Sequence, residues 1–168
     1  MPRDALTPDR PASRAVPDNL FAALRVSHEI QRSLCLRLVR AKASQPELRQ
    51  QLFKALRTEL AAHEAAEERF LYAPILMDDH GLDASRHALS EHHQMDEMVE
   101  DMQALALDGE AWGEHAKALA HKVRHHLKEE EHRFFQVSGK ILSDTQIRTL
   151  AKRYERDYQR MLKKLATA

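Results

Sequence analysis

Histidine recurs in this chain where helical periodicity places core residues. Four stretches carry apolar residues at intervals of three and four, which is the pattern of one face of an α-helix. Each apolar stripe contains one histidine, and the four are His28, His63, His92 and His126. Burying an imidazole costs free energy unless it has a polar partner. The sequence therefore predicts helices that pack around polar groups rather than around a purely apolar core.

Two of these histidines are followed, four residues later, by a glutamate. Glu67 follows His63, and Glu130 follows His126. Residues four apart project from the same face of a helix, so each histidine and its glutamate should point inward together. A core would not normally accept so many polar groups without a partner that all of them share.

The order of these residues repeats in the two halves of the chain. His28 precedes His63 by 35 residues and His92 precedes His126 by 34, and the second histidine of each pair begins an HxxxE motif. Two such halves would bring four imidazoles and two carboxylates to one level of a bundle. The alternative is an ordinary core with hydrogen-bonded histidines and solvated glutamates, which the repeated register disfavours.

This set of donors suits two metal ions. Two histidines for each ion, two bridging carboxylates and one bridging oxygen would give each ion five ligands and leave one position open. Mixed imidazole and carboxylate ligands in a bundle suit iron or manganese, whereas zinc usually takes four ligands. We therefore expect two iron ions joined by an oxo or hydroxo bridge, with manganese or zinc as less suitable metals.

The composition places these residues in an all-α protein. Only four of the 168 residues are glycine, and charged residues make up 31%. Scarce glycine with abundant Leu, Ala, Glu, Lys and Arg favours helices over strands. We expect a flexible N-terminal arm at 1–17, an up-down four-helix bundle at 18–137, and an amphipathic helix at 143–168 that packs on the bundle or at a dimer contact.

Capping and turn residues indicate where the helices begin and end. Asp18 is the expected N-cap of the first helix, and Pro46 should lie in the first turn of the second. Pro74 should kink the second helix near its end. Ser143, followed three residues later by Gln146, predicts a capping box for the last helix. The expected helices span about 18–43, 46–80, 83–107, 110–137 and 143–168.

The segments that hold these residues resemble the hemerythrin-like, or HHE cation-binding, family. They are SHEI at 27–30, HEAAEERFLYAP at 63–74, EHHQMDEMVEDM at 91–102 and HHLKEEEHRFF at 125–135. The resemblance covers roughly residues 18–137 and implies a four-helix bundle with a di-iron centre. It implies that the two glutamates bridge the irons and that the ligands are His28, His63, Glu67, His92, His126 and Glu130.

The sequence departs from the pattern of the oxygen-carrying members of that family. Those proteins have a fifth histidine from HxxxH on the third helix and an aspartate from HxxxxD on the fourth. Here Asp96 stands four residues after His92, and the fourth helix has HxxxE. The match is to a four-histidine, two-glutamate variant that resembles bacterial proteins of iron, nitric oxide and peroxide chemistry.

Neighbouring residues leave alternatives for some positions. His92 is preferred over His93, and His126 over His125, because the preferred residue lies on the apolar stripe. Asp96 is expected to be an outer or surface carboxylate rather than a seventh ligand. For Tyr72, five residues after Glu67, a packing role is favoured over a hydrogen bond to the centre. The other histidines are expected at the surface: His80, His87, His115, His121, His125 and His132.

Charge and composition exclude several classes of partner. The 26 basic residues equal the 26 acidic ones, whereas nucleic-acid binders normally carry a basic excess. There is no apolar run long enough to span a membrane, and the single cysteine, Cys35, excludes an internal disulfide. We expect a cytoplasmic protein without nucleic-acid or membrane partners that can form a homodimer.

The expected function follows from an open metal position. It is the binding of, or reaction with, oxygen, nitric oxide or hydrogen peroxide in a redox or iron-related stress response. A peroxidase-type enzyme, iron storage or delivery, and repair of iron centres are alternatives. Iron-centre repair proteins of this type carry a cysteine-bearing N-terminal domain that we do not expect in this chain, which weakens the repair alternative.

Overall fold

The computed structural model describes residues 17–168, so the predicted arm at 1–17 lies outside the described residues except for its last one. Five helices follow, which we number in chain order. Helices α2 and α4 each contain one π-helical turn between two α-helical parts. The helices are α1 (Leu20–Arg40), α2 (Pro46–Glu67, Glu68–Tyr72 and Ala73–Leu76), α3 (Leu82–Gln103), α4 (Glu110–Glu129, Glu130–Phe134 and Phe135–Ile141) and α5 (Asp144–Ala166).

Helices α1 to α4 form the predicted four-helix bundle, with α5 as the additional C-terminal helix. Helix α1 packs on α2 and α4, and α3 packs on α4 and on the last turns of α2. The connections at 41–45, 77–81 and 104–109 are short, as consecutive antiparallel helices require. Helix α5 packs along α2 and α1 of the same chain. Among the described helices, none is both long and apolar enough to cross a bilayer.

The apolar core of the bundle is divided into two clusters. One includes Leu56, Trp112 and Leu119, and the other includes Leu24 and Tyr154. Along each of the first four helices, the histidine of the apolar stripe falls at the change from one cluster to the other. The four histidines therefore form a polar layer across a core that is apolar on both sides.

The observed helix starts follow the expected residues closely, but several predicted ends were wrong: α1 ends at Arg40 rather than 43, α2 ends at Leu76 rather than 80, and α4 continues to Ile141 beyond 137. The N-cap of α1 is Asn19 rather than Asp18, and its Oδ1 accepts hydrogen bonds from the amides of Phe21 at 2.9 Å and Ala22 at 3.2 Å. Helix α3 ends at Gln103, four residues before the predicted end, because the segment that follows it turns away. Pro46 is the first residue of α2, as predicted.

Each HxxxE motif is followed directly by a π-helical turn. The amide of Ala73 donates to the carbonyl of Glu68, and the amide of Phe135 donates to that of Glu130, five residues back in each case. In α2, Pro74 lacks an N–H and crowds the preceding turn, which favours the wider geometry. Helix α4 has no proline there, and neither π turn was predicted from the sequence, which indicated only a kink at Pro74. Single π turns within α-helices occur frequently at functional sites.

The capping box at Ser143 should stabilise α5 measurably. The Ser143 hydroxyl accepts from the amide of Gln146 at 3.2 Å, and the Gln146 side chain accepts from the Ser143 amide at 2.8 Å. We expect Ser143→Ala to lower the free energy of unfolding by about 1 kcal/mol, measured by urea denaturation. The control is Ser44→Ala, which changes an exposed serine in a loop. Equal stability of the two variants would contradict the assigned cap.

Candidate metal centre

The structure brings all six predicted residues together in the polar layer. None of the six is more than 3% exposed to solvent. His28 comes from α1 and His92 from α3. Each HxxxE motif contributes one histidine and one glutamate, with Glu67 the last residue before the π turn of α2 and Glu130 the first residue of the π turn of α4. The layer is therefore built from all four helices of the bundle.

The first half of the layer is a group of four donors. His28, His63, Glu67 and Glu130 each offer one ligand atom, and these atoms all lie within 4.8 Å of one another. The Nε2 atom of His63 is 3.1 Å from Oε2 of Glu67, and Nε2 of His28 is 3.4 Å from Oε2 of Glu130. Two imidazoles and two carboxylates thus face a common point.

The second half uses the same glutamates. Glu67, His92 and His126 form a second group within the same limit, with Nε2 of His92 3.4 Å from Oε2 of Glu67. The Nε2 atoms of the two histidines are 3.2 Å apart, and Oε2 of Glu130 is 3.8 Å from Nε2 of His126. Glu67 belongs to both groups and Glu130 lies close to both. This is the arrangement expected of two metal positions that share carboxylates.

The inward-facing atoms fit metal ions because they lack other partners. Nε2 of His28, Nε2 of His63, both carboxylate oxygens of Glu67 and Oε2 of Glu130 are buried without a hydrogen bond among the described residues. An unsatisfied buried polar group costs about 1–3 kcal/mol, and more when it is charged. Five such atoms on four residues in one layer are the donors that cations would coordinate.

The comparison with protein families agrees with this geometry. The profile of the hemerythrin family, described as the hemerythrin HHE cation binding domain, matches residues 19–137, which is more than half of the chain. The chain belongs to the hemerythrin HHE family. Membership makes it a metal-binding protein, and the region matched by the profile holds all six residues of the polar layer.

A solved structure shows the same fold in another HHE protein. The crystal structure of a hemerythrin HHE cation binding domain-containing protein from Mycobacterium kansasii superposes with a TM-score of 0.78. The two sequences are 17% identical, and the match covers 87% of this chain and 88% of that one. No curated protein sequence matches the chain.

Each histidine of the polar layer forms a hydrogen bond, on the side of its ring that faces away from the centre, with a residue of another helix. In every ring, Nδ1 forms a hydrogen bond of 2.7 or 2.8 Å, which directs Nε2 towards the interior. The pairs are His28 with Glu131, His63 with Tyr154, His92 with Glu68, and His126 with Glu91. The sequence analysis missed these partners, although three of them are glutamates next to a proposed ligand.

The outer carboxylates set the charge of the layer. Burial alone lowers the pKa of His28, but the carboxylates of Glu130 and Glu131 beside its ring outweigh burial and raise that pKa to about 9. Burial raises the pKa of Glu131, but His28 and Arg32 hold it at about 2. Burial likewise raises the pKa of Glu91, but His126 and Lys122 lower it to about 2. These outer glutamates are therefore anionic at neutral pH.

Tyr72 contacts the centre, so the preference for a packing role alone was wrong. Its side chain is fully buried, and its hydroxyl donates to Oε1 of Glu130 at 2.7 Å and lies 3.2 Å from Nε2 of His92. Burial and the charges of Glu130 and Glu67 raise the pKa of Tyr72 well above its usual value, so the phenol keeps its proton. The π turn in α2 contains Tyr72, and this local geometry could not be read from the sequence.

Burial separates the adjacent histidines in the way that the apolar stripes predicted, with His92 and His126 inside the bundle. His92 and His126 are 1% and 2% exposed, whereas His93 and His125 lie on the surface. Asp96 is exposed and belongs to neither donor group. The other histidines predicted at the surface are exposed as well.

The hydroxyl of Tyr154 should strengthen metal binding although it touches no metal position. It is 2.8 Å from Nδ1 of His63 and fixes the orientation of that ring. We expect Tyr154→Phe to weaken metal affinity by about 10–100-fold, measured by competition with a chelator. The control is Tyr158→Phe, because the hydroxyl of this stacked neighbour donates to Glu59 instead of a proposed ligand. Equal losses of affinity in both variants would contradict the assigned role.

Metal binding should become tighter as the pH rises. With a pKa of about 9 in the metal-free protein, His28 carries a proton at pH 7 that an incoming cation must displace. Apparent affinity should rise by about tenfold per pH unit for each displaced proton, up to about pH 9. Metal-free protein should show the opposite trend, because the stability contributed by protonated His28 is complete below about pH 6.5 and is lost as the pH approaches 9. Chelator competition at several pH values tests the first trend, and a flat profile from pH 6 to 8 would contradict it.

Proposed function

We propose that this HHE protein is a non-haem di-iron protein that binds or reacts with a small oxidant or diatomic molecule. The observation that carries the proposal is the sharing of Glu67, whose two carboxylate oxygens are buried without a hydrogen bond, by two pairs of buried imidazoles. Two cations at these positions would each have two histidines and a share of two carboxylates. Oxygen, nitric oxide and hydrogen peroxide are the ligands that such a centre suits.

The donor set favours iron over zinc. Structural zinc sites are usually closed, four-coordinate and rich in cysteine, whereas this layer has imidazole and carboxylate donors only. Imidazole and carboxylate ligands projecting from the four helices of a bundle are typical of iron and manganese. A bound pair of iron ions would supply reversible one-electron chemistry at each ion.

The residues of the chain would divide the remaining tasks. The four imidazoles bind through Nε2, and the outer hydrogen bonds hold their rings in place. Glu67 and Glu130 would be the carboxylate ligands that the two positions share. The Tyr72 hydroxyl lies 3.2 Å from Nε2 of His92, and an incoming molecule there would compete with Glu130 for its single proton.

A surface cavity supports the restriction to small molecules. It has a volume of about 370 Å³, and His126 and Glu130 line it together with apolar side chains of α3 and α4 that include Ala88 and Phe134. The side chains at the layer are at most 3% exposed, so a large substrate has no access to them. A diatomic molecule or peroxide fits this path.

Metal content and spectroscopy test the proposal. Protein from iron-replete cells should contain about two irons per chain and show the near-ultraviolet bands of an oxo-bridged pair, which peroxide should alter. Glu67→Ala should lose most of the iron, because it removes the carboxylate shared by both positions. Glu97→Ala is the matched control, because this glutamate is exposed on α3. Metal-free protein whose melting temperature does not change on addition of ferrous ion would contradict the proposal.

Turnover measurements separate a binding protein from an enzyme. A carrier or sensor should show spectral changes that reverse when the small ligand is removed, whereas an enzyme should consume many equivalents of peroxide or nitric oxide. Iron storage or delivery would instead give iron that exchanges readily with chelators. The burial of all six donors favours slow exchange.

A further inference from the structure

A second group of metal-ligand side chains lies outside the buried layer. His87 and Glu91 on α3 and Glu129 on α4 offer three ligand atoms within 4.8 Å of one another. Nε2 of His87 is 3.4 Å from Oε2 of Glu129 and 3.8 Å from Oε2 of Glu91. The His87 side chain is 60% exposed, that of Glu129 24% and that of Glu91 6%, so the group reaches from solvent into the protein.

The group belongs to the cavity that leads to the centre. All three residues line that cavity, as do His126 and Glu130 of the buried layer. The Oε2 atom of Glu130 is buried without a hydrogen-bond partner among the described residues. The inner end of the cavity therefore offers an oxygen atom that can bind a metal ion. Glu91 joins the two ends directly, because its Oε2 also accepts the hydrogen bond from Nδ1 of His126 at 2.8 Å.

Two basic side chains form ion pairs with the carboxylates of this group without occupying the space between its ligand atoms. Lys122 lies 3.1 Å from Oε1 of Glu91, and Arg133 lies 3.2 Å from Oε1 of Glu129. Both contacts use Oε1, which leaves the two Oε2 atoms on the side of His87. The positive charges also reduce the attraction for a dication, so binding at this group should be weak and reversible.

We propose that His87, Glu91 and Glu129 form a loading site that captures a divalent transition metal and passes it through the cavity to the buried centre. The inference rests on the proposed metal function of the buried layer. A hydrated dication does not cross an apolar passage without polar groups to replace its water. The loading site supplies three such groups at the outer end, and His126 and Glu130 supply the next donors inward.

The imidazole of His87 makes the site selective for ions of the required class. Carboxylates alone suit magnesium and calcium, whereas an imidazole beside them favours iron, zinc and similar metals. His125 lies 3.5 Å from Oε2 of Glu129, which places a second exposed imidazole at the same carboxylate. The site would therefore concentrate transition metals at the mouth of the cavity.

The first test measures the rate of metal uptake by the full-length, metal-free protein. Ferrous ion is added without oxygen, and the ferrous ion that remains free at each time after rapid mixing is measured with a chromogenic chelator. We expect His87→Ala combined with Glu129→Gln to slow uptake by at least about tenfold at low metal concentration, with about two ions per chain still bound at the end. The matched control is His93→Ala with Glu97→Gln, an exposed histidine–glutamate pair 3.4 Å apart on α3 that does not line the cavity.

The outcomes separate this inference from the proposed function. Uptake of two ions at the wild-type rate by the variant with His87→Ala and Glu129→Gln would overturn the loading site. It would leave the proposed metal centre of the buried layer standing. Failure of the wild-type chain to take up any metal would overturn the proposed function itself. Circular dichroism of each metal-free variant checks that slow uptake does not arise from lost helices.

A second measurement uses protein that already holds its metal. Cobalt(II) added to the iron-loaded chain should bind as one additional, weaker ion with an absorption spectrum that reports nitrogen and oxygen ligands. His87→Ala should abolish this spectrum, and His93→Ala should preserve it. An additional ion that survives His87→Ala would overturn the assignment. A peroxide reaction of the preloaded His87 variant at the wild-type rate would show that the group serves metal loading rather than access of small molecules.

Discussion

The structure depends on six polar side chains that share one buried layer between two apolar clusters. Buried charges are tolerated only when they are paired and hydrogen-bonded. The outer side of each imidazole has its partner within the protein, while the inner side faces Glu67 and Glu130, whose oxygens lack hydrogen bonds except for Oε1 of Glu130. Metal binding and folding should therefore be coupled, because an ion that binds only the folded chain stabilises it by mass action.

Much of this centre could be predicted because helical periodicity is strict. Residues four apart share a face, so His63 with Glu67 and His126 with Glu130 could be assigned to the interior from spacing alone. The same rule separated His92 from His93, because adjacent helical residues point about 100° apart. The four-helix bundle with an added C-terminal helix followed from the positions of the apolar stripes and caps.

The contacts that the sequence did not reveal depend on which helices become neighbours. Tyr154 is 91 residues from His63 in the chain, and no local pattern connects them. The π turns add one residue to a helical turn and so change the direction of the side chains that follow, which brings the Tyr72 hydroxyl to the centre. Spacing rules for a regular α-helix do not describe such a turn, and this is why a packing role had been favoured for Tyr72.

A crystal structure of the iron-loaded protein, with anomalous scattering recorded at the iron absorption edge, tests the central claim most directly. The account predicts two peaks in the buried layer, one beside His28 and His63 and the other beside His92 and His126, with Glu67 and Glu130 between them. A single peak in the layer, or iron only at surface carboxylates with the six side chains left without metal, would contradict it.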